Sequence, residues 1–204
     1  MARPRISLAL NPGYTAGAMK RIVFAAILAA LGTAAYAQSL VTVPPGSNTE
    51  AWWLRAQFHP MHTEVRGIPV AKIRPNWCKA TEYKRELFPK ELLVENGTDL
   101  MASSHQSFAL TGNFDRSKSK QVALVGVYQT CGGEEGSFLL IIDADTRKVR
   151  FVDATASKTQ YAALARAPRN TIALFNCMEC DNAGLLRWNA KKKAFAWVQN
   201  RSTD

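Results

Sequence analysis

Hydrophobic positions in the second half of the chain form short runs that polar turns separate, which is typical of a β-sheet protein. The runs are rich in β-branched and aromatic residues, and several alternate with polar positions. They comprise residues 107–114, 122–128, 138–142, 149–152, 171–175, 185–188 and 194–198. This pattern predicts a predominantly antiparallel β fold.

Two other stretches favour helix. A short helical segment is predicted near residues 79–95, where Pro89 is suited to begin a turn and Gly97 to end it. The spacing of apolar residues in 158–166 predicts a second short helix. Together with the strands, these segments predict the α+β class.

Part of the strand-rich half resembles another part of it. Two pairs of segments match at nearly constant spacing, namely residues 122–125 with 172–175 and residues 140–152 with 186–198. We interpret this as a duplicated three-strand unit, at about 121–152 and 171–198, in an open sheet or in two packed sheets. The alternative is coincidence, because any two antiparallel hairpins share period-two patterning.

One segment also resembles a known repeat. Residues 110–115 read LTGNFD, and after a polar loop residues 121–126 read QVALVG. Together, residues 110–126 resemble an FG-GAP repeat of the integrin-type β-propeller, in which a loop rich in Asp and Gly binds calcium. Here the loop 115–120 has one acid and three bases, which does not suit a cation that needs six to eight oxygen ligands. Two or three units are too few to close a propeller.

The N-terminal segment has the features of an export signal. Lys20 and Arg21 precede an apolar run of about 15 residues, shorter than the roughly 20 of a membrane-spanning helix. The run closes with the small-x-small sequence at residues 35–37, which predicts a signal peptide cleaved after Ala37. Either Met1 or Met19 is the start, and a retained membrane anchor is the alternative.

Export predicts a periplasmic or secreted product with no membrane span after cleavage. Residues 38–50 contain a Pro-Pro-Gly sequence and no apolar periodicity, so we expect an extended, poorly ordered lead-in there, with order beginning at Trp52. Residues 51–204 are then a single β-rich domain. The sequence leaves the oligomeric state open.

The charge of the chain is strongly positive. Its 26 Lys and Arg against 16 Asp and Glu give +10, and an excess of six bases remains after Ala37. Several bases fall in predicted turns, where they would form a positive rim: Arg147, Lys148, Lys191, Lys192 and Lys193, with Arg116, Lys118 and Lys120 in a further turn. Trp52, Trp53 and Trp77 are candidates to add stacking area, and core packing is the favoured alternative for at least two of them. Export disfavours nucleic acid, so an acidic protein, a glycan or the envelope surface is the expected partner, with solvated turns as the alternative.

Four cysteines in an exported chain predict two disulfides. We prefer Cys78 with Cys131 and Cys177 with Cys180, and a bridge between Cys131 and Cys180 is the main rival. The C-x-x-C sequence at 177–180 also raises the hypothesis of thiol redox chemistry. That chemistry needs the first Cys at a helix N-terminus, whereas here the motif lies between a strand and a turn.

Other chemistry lacks the required spacing. Ser103-Ser104-His105 has no specified acid partner, and Glu134-Glu135 lies in a glycine-rich hairpin tip. His59 and His62 are over a hundred residues from the C-x-x-C sequence, so we predict no zinc site and no cofactor. The sequence favours a non-enzymatic binding protein, such as an inhibitor, an immunity protein or an accessory protein. The alternative is an envelope hydrolase or carbohydrate-acting enzyme whose acids only the fold brings together.

Overall fold

The computed structural model describes residues 39–44, 51–157 and 159–199, so the predicted signal peptide lies outside the described residues. The described residues belong to one unit, Ala37–Asp204. Among them, no helix has the length and apolar composition needed to cross a bilayer.

The fold is predominantly antiparallel β, as the sequence predicted. The strands are β1 (Val41–Thr42), β2 (Gln57–Phe58), β3 (Glu64–Val65), β4 (Ile68–Pro69), β5 (Trp77–Glu82), β6 (Val94–Glu95), β7 (Thr98–Asp99), β8 (Ala109–Gly112), β9 (Gln121–Thr130), β10 (Glu135–Asp143), β11 (Val149–Thr155), β12 (Ala163–Ala167), β13 (Thr171–Phe175), β14 (Gly184–Asn189) and β15 (Ala194–Gln199). The helices α1 (Val70–Ile73) and α2 (Leu100–Ser103) and three 3₁₀ turns (Trp52–Leu54, Arg85–Leu87 and Lys90–Leu92) are all short.

Two larger sheets organise the chain. Sheet 1 has the order β11-β10-β9-β5, and β8 also pairs with β9. Strands β5 and β8 pair with the same edge of β9 at different positions. Strand β8 pairs with residues 121–124, and β5 pairs with residues 126–130. Sheet 2 has the order β12-β13-β14-β15. Within the described residues, neither sheet closes into a barrel, because its first and last strands do not pair with each other.

Sheet 1 is buried on both faces. Successive residues of β9 and β10 alternate between two apolar clusters, so that Val125 belongs to one cluster and Leu124 to the other. The first face packs against sheet 2 residues such as Ile172 and Leu186. The second is covered by Val65–Ile73, and Trp77 stacks on Tyr128 there, with ring centroids 4.6 Å apart. Near-continuous apolar runs such as 122–128 are the sequence signature of strands buried in this way.

An aromatic cluster extends the first core beyond the sheets. Trp52, Phe58, Tyr83, Phe88 and Tyr161 pack in edge-to-face and tilted pairs with centroids 5.2–6.1 Å apart. The two buried phenols have hydrogen-bond partners. The Tyr83 hydroxyl donates to the carbonyl oxygen of residue 160 at 2.7 Å, and the Tyr161 hydroxyl bonds the side-chain oxygen of residue 106 at 3.2 Å.

The lead-in contributes to this core. Strand β1 pairs with β2, and Leu40 and Val41 are buried. Residues 45–50 lie outside the described residues.

Both predicted helices are wrong in large part. The segment predicted near 79–95 begins in β5, which completes the edge of β9, and continues as single 3₁₀ turns. Residues 163–167, within and just beyond the second predicted helix, form β12, which pairs with β13. In both places, the stabilisation gained by pairing with a neighbouring strand outweighs the local helix preference, which is about 0.5 kcal/mol per residue.

The two segments that resemble each other both form three-strand meanders, β9-β10-β11 and β13-β14-β15. Their registers differ. Leu140 lies opposite Leu124 in the first meander, but its counterpart Leu186 lies opposite Ile172, two residues from the position that the sequence match implies. Both leucines are buried, but Leu140 lies in the cluster on the second face of sheet 1, whereas Leu186 lies in the cluster between the two sheets.

Three β-bulges leave one residue unpaired on the bulged strand: Cys78 in β5, Arg150 in β11 and Val198 in β15. A bulge changes the direction of a side chain relative to the regular pleat. Cys78 is joined to Cys131, which directly follows the opposing end of β9. The second disulfide joins Cys177 to Cys180, so the preferred pairing is confirmed.

We predict that the two disulfides differ in their contribution to stability. Cys78–Cys131 spans 53 residues and Cys177–Cys180 spans three. Replacing the first pair with serine should lower the free energy of unfolding by about 4 kcal/mol, and replacing the second by about 2 kcal/mol, because the longer loop restricts the unfolded chain more. Urea unfolding of the two double variants measures both. An equal or larger loss for the Cys177–Cys180 pair would contradict the loop model.

Gly126 is the position of closest packing between β9 and its neighbours. A Cβ atom there would collide with the Thr81 carbonyl oxygen and lie 2.8 Å from the Phe138 ring. Gly126→Ala should therefore cost about 3 kcal/mol through overpacking. Gly132→Ala is the matched control, since its Cβ would meet only the Thr130 hydroxyl at 3.7 Å. Denaturant unfolding compares the two, and similar midpoints for both variants would disprove the packing argument.

Candidate binding site

The tryptophans predicted to add stacking area do not lie on the surface. Trp52 is 1% exposed and Trp53 is 5% exposed, and both pack on Tyr161. The prediction of a surface role is therefore wrong for both residues. Their large apolar area is more stabilising inside the aromatic cluster than in water.

Several turns that carry bases lie near one another. Four turns meet at one end of the strands, and we call their basic side chains the basic rim. The turns are residues 113–120, 144–148, 168–170 and 190–193. Their bases are all exposed, namely Arg116, Lys118, Lys120, Arg147, Lys148, Arg169, Lys191, Lys192 and Lys193. Asp145 is the one exposed acid in these turns, every residue of which is described.

Specific contacts join these turns. The amide of Ala144 donates to the Lys120 carbonyl oxygen at 2.9 Å, and the Asn170 side chain donates to the Asn113 carbonyl oxygen at 3.3 Å. The turn 190–193 joins the group because Lys191 lines the same hollow as bases of two other turns. Arg147 instead lies beside Gly67, at the turn between β3 and β4.

A buried amide shapes the longest of the turns. Gln121 is fully buried, and its side-chain oxygen accepts hydrogen bonds from the amides of Phe114 and Asp115 at 2.8 and 3.3 Å. Its side-chain nitrogen donates to the Ser119 carbonyl oxygen at 2.8 Å. These bonds fix the backbone that carries Arg116.

Arg150 links this turn to both sheets. From its bulge, its guanidinium lies 3.1 Å from a carboxylate oxygen of Asp115 and 3.6 Å from one of Asp143. It also lies over the ring of Trp188 in sheet 2, 5.8 Å from the centroid. Desolvation raises the pKa of Asp115, but hydrogen bonds from Ser117 and the charge of Arg150 outweigh it and hold the pKa below 3.8.

Each of the four turns places one base in a left-handed backbone conformation. The φ angles are 60° at Arg116, 57° at Arg147, 62° at Arg169 and 48° at Lys193. Glycine adopts this conformation without penalty, whereas a residue with a Cβ atom pays about 1 kcal/mol. The rim therefore keeps charged side chains at positions where glycine would favour stability.

A hollow of about 480 Å³ lies within the basic rim. Arg116, Arg169, Arg187 and Lys191 supply its charged lining, and no acid lines it. Sequence reasoning missed Arg169 and Arg187. Both are isolated bases that only strand pairing brings beside the other two, so no local pattern marks them.

The other ends of the same strands carry the opposite charge. Residues 131–134, which follow β9, and residues 176–183, which follow β13, contain Glu134, Glu179 and Asp181 but no base. Arg74 also lies at this end, since its charge and that of Glu134 both act on the Tyr128 hydroxyl. The bases of the rim are thus separated from a smaller excess of acids along the strand direction.

The candidates for nucleophilic or acid–base chemistry have structural hydrogen bonds. Ser103 and Ser104 lie at the end of α2, and their hydroxyls donate to the carbonyl oxygen of Leu100, the first residue of this helix. The Glu135 carboxylate accepts from the Gln129 side chain at 2.9 Å. Resolved carboxylate pKa shifts are downward, at Asp99 through a backbone hydrogen bond from Ala102 and at Asp115. A general acid needs the opposite shift.

No metal site is evident among the residues that the structure describes, where no group of three or more His, Cys, Asp or Glu is suitably placed. The His59 ring nitrogen instead bonds the Thr42 hydroxyl at 3.2 Å. The chain matches no protein-family model, and no match was found with curated proteins or with solved structures.

We predict that Asp115 stabilises the fold only when it is ionised. Its folded pKa lies below the ordinary 3.8, so its contribution is present above that pH and is lost as the pH falls through the folded pKa. Near neutral pH, Asp115→Asn should lower the free energy of unfolding by about 2 kcal/mol, because Arg150 loses the nearer of its two charged partners.

Urea unfolding of both proteins across an acid series tests this prediction. The difference from the unsubstituted chain should shrink as the pH falls. Asp145→Asn is the control, because this exposed acid in a neighbouring turn should show little difference at any pH. A difference for Asp115→Asn that stays constant down to acid pH would contradict the assignment.

Proposed function

We propose that this chain is an exported, non-enzymatic binding protein that contacts an acidic protein partner through the basic rim. The observation that carries the proposal is the convergence of nine exposed bases from four separate turns, with one exposed acid among them. If these bases served only to keep the turns hydrated, they would not need to lie close together. An inhibitor, an immunity protein or an accessory subunit would each use a surface of this kind.

The construction of the rim supports binding over simple solvation. A buried amide and the ion pair between Asp115 and Arg150 fix the turn that carries Arg116. Four bases occupy left-handed positions at a cost in stability. A fixed backbone limits the entropy that a binding surface loses when a partner docks.

The compartment follows from the sequence and is consistent with the cross-links. The predicted signal peptide and cleavage after Ala37 place the domain in the periplasm or outside the cell. Two disulfides join all four cysteines, and such bonds persist in oxidising compartments. A partner in the envelope is then the accessible one.

The alternative of an envelope hydrolase receives less support. It requires a carboxylate whose pKa is raised so that it holds a proton near neutral pH. The resolved carboxylate shifts in the described residues are downward. The hollow of the basic rim has four bases and no acid in its lining, which suits recognition of an anion.

We also propose that the two meanders arose from a duplicated three-strand unit, within an α+β domain. Each meander ends in a hairpin with one bulge on its second strand, at Arg150 and at Val198. The two-residue difference in register, and the placement of Leu140 and Leu186 in different apolar clusters, are then later changes.

The proposal predicts that reversing charges on the rim abolishes partner capture. Tagged mature protein should recover a stoichiometric acidic protein from the envelope fraction of its own host. A variant with Lys191→Glu, Lys192→Glu and Lys193→Glu should bind that partner at least about tenfold more weakly, because the charges that favour the complex are reversed. Mass spectrometry and affinity measurement provide the readout.

A matched variant controls for net charge. Lys72→Glu, Lys84→Glu and Lys90→Glu change the same total charge at exposed lysines outside the rim and should leave capture intact. Equal loss in both variants would show that only net charge matters. Recovery of the unsubstituted protein without a partner, over a range of salt concentrations, would reject the proposal.

A further inference from the structure

Resting on the proposed function, we infer that the partner presents a segment in which carboxylates adjoin a bulky apolar side chain. The inference comes from two adjoining hollows of different character at the basic rim. One offers positive charge and the other offers apolar surface.

The first is the basic hollow of about 480 Å³. Its four charged side chains, Arg116, Arg169, Arg187 and Lys191, have no ion-pair or side-chain hydrogen-bond partner in the described residues. An unpaired guanidinium can bind a carboxylate with two parallel hydrogen bonds. The basic hollow is therefore complementary to an acidic segment.

The second is an apolar hollow of about 320 Å³, which shares Arg169, Arg187 and Val198 with the first. The rest of its lining is mainly apolar and comprises Ala167, Pro168, Leu185 and Thr171. Its volume is at the small end of ligand sites, which suits one large side chain.

Val198 lies where the two hollows meet. It is 55% exposed, and Leu54 is the other large apolar residue exposed to this degree in the described chain. It is also the unpaired residue of the β15 bulge, which turns its side chain out of the regular pleat. An exposed valine beside three arginine side chains is costly in water and favourable against an apolar group.

These features favour a protein segment over an anionic glycan. A polyuronate supplies carboxylates but no bulky apolar side chain for the second hollow. A peptide supplies both groups within a few residues, because an extended chain advances about 3.3 Å per residue. Acidic residues next to a Phe or Leu therefore match both hollows at once.

Binding of short fluorescent peptides to the mature protein tests the inference. The probes are a Glu-rich peptide with a central Phe, the same peptide with Ser in place of Phe, and the Phe peptide with every Glu changed to Gln. The Phe peptide should bind about tenfold more tightly than the Ser peptide, as expected for burial of one large apolar side chain. The Gln peptide should bind more weakly than either.

Two surface variants identify the apolar hollow as the source of this preference. Val198→Ser should remove the advantage of Phe over Ser. Leu54→Ser, at a residue that is 59% exposed, should retain it. Both positions are exposed, so thermal unfolding should show that each variant folds. Arg187→Gln should weaken both acidic peptides.

The outcomes separate this inference from the proposed function. Equal binding of the Phe and Ser peptides, or a Phe preference that survives Val198→Ser, would overturn the inference but leave an acidic partner supported. If the acidic peptides bind no better than the Gln peptide, both proposals fail. A polyuronate chain that binds as tightly as the Phe peptide would overturn the choice of a protein segment.

Discussion

The burial of both faces of β9 and β10 is the constraint on which the rest of the structure depends. Neither face can remain in water, because alternate residues of both strands are apolar on each side. Sheet 2 and the aromatic cluster cover one face, and Val65–Ile73 covers the other. The turns at the ends of these strands are thereby held in place, so the rim is a product of the core as much as of its own residues.

Irregularities in the sheets carry the specific contacts. The three bulges place Cys78 at a disulfide, Arg150 at a cation–π contact with Trp188 of sheet 2 and Val198 on the surface between the hollows. In a regular strand, each of these side chains would have pointed to the face of the sheet opposite that of its two neighbours in the chain. The same device thus serves covalent stability, the joining of the sheets and the exposed surface.

Sequence patterns predicted the parts of the fold that depend on local order. Runs such as 122–128 indicated the strands, and the number and spacing of cysteines indicated the disulfides. The strand at Ala163–Ala167 was missed because its conformation depends on pairing with β13 rather than on its own residues. Likewise, Arg169 and Arg187 join the rim only through strand order. The burial of Trp52 could not be predicted either, because composition alone does not show which side chains the core will cover.

The separation of charge along the strands has a consequence for how the molecule approaches other molecules. The nine rim bases lie at one end of the strands, and the turns at the other end carry three acids and Arg74, so the charges of these turns form an electric dipole along the strand axis. In the field of an anionic surface, such a dipole turns the basic end forward before contact. The molecule then needs less rotational diffusion to reach an orientation that can bind. Its acidic end faces the solvent, where it disfavours the attachment of a second acidic molecule.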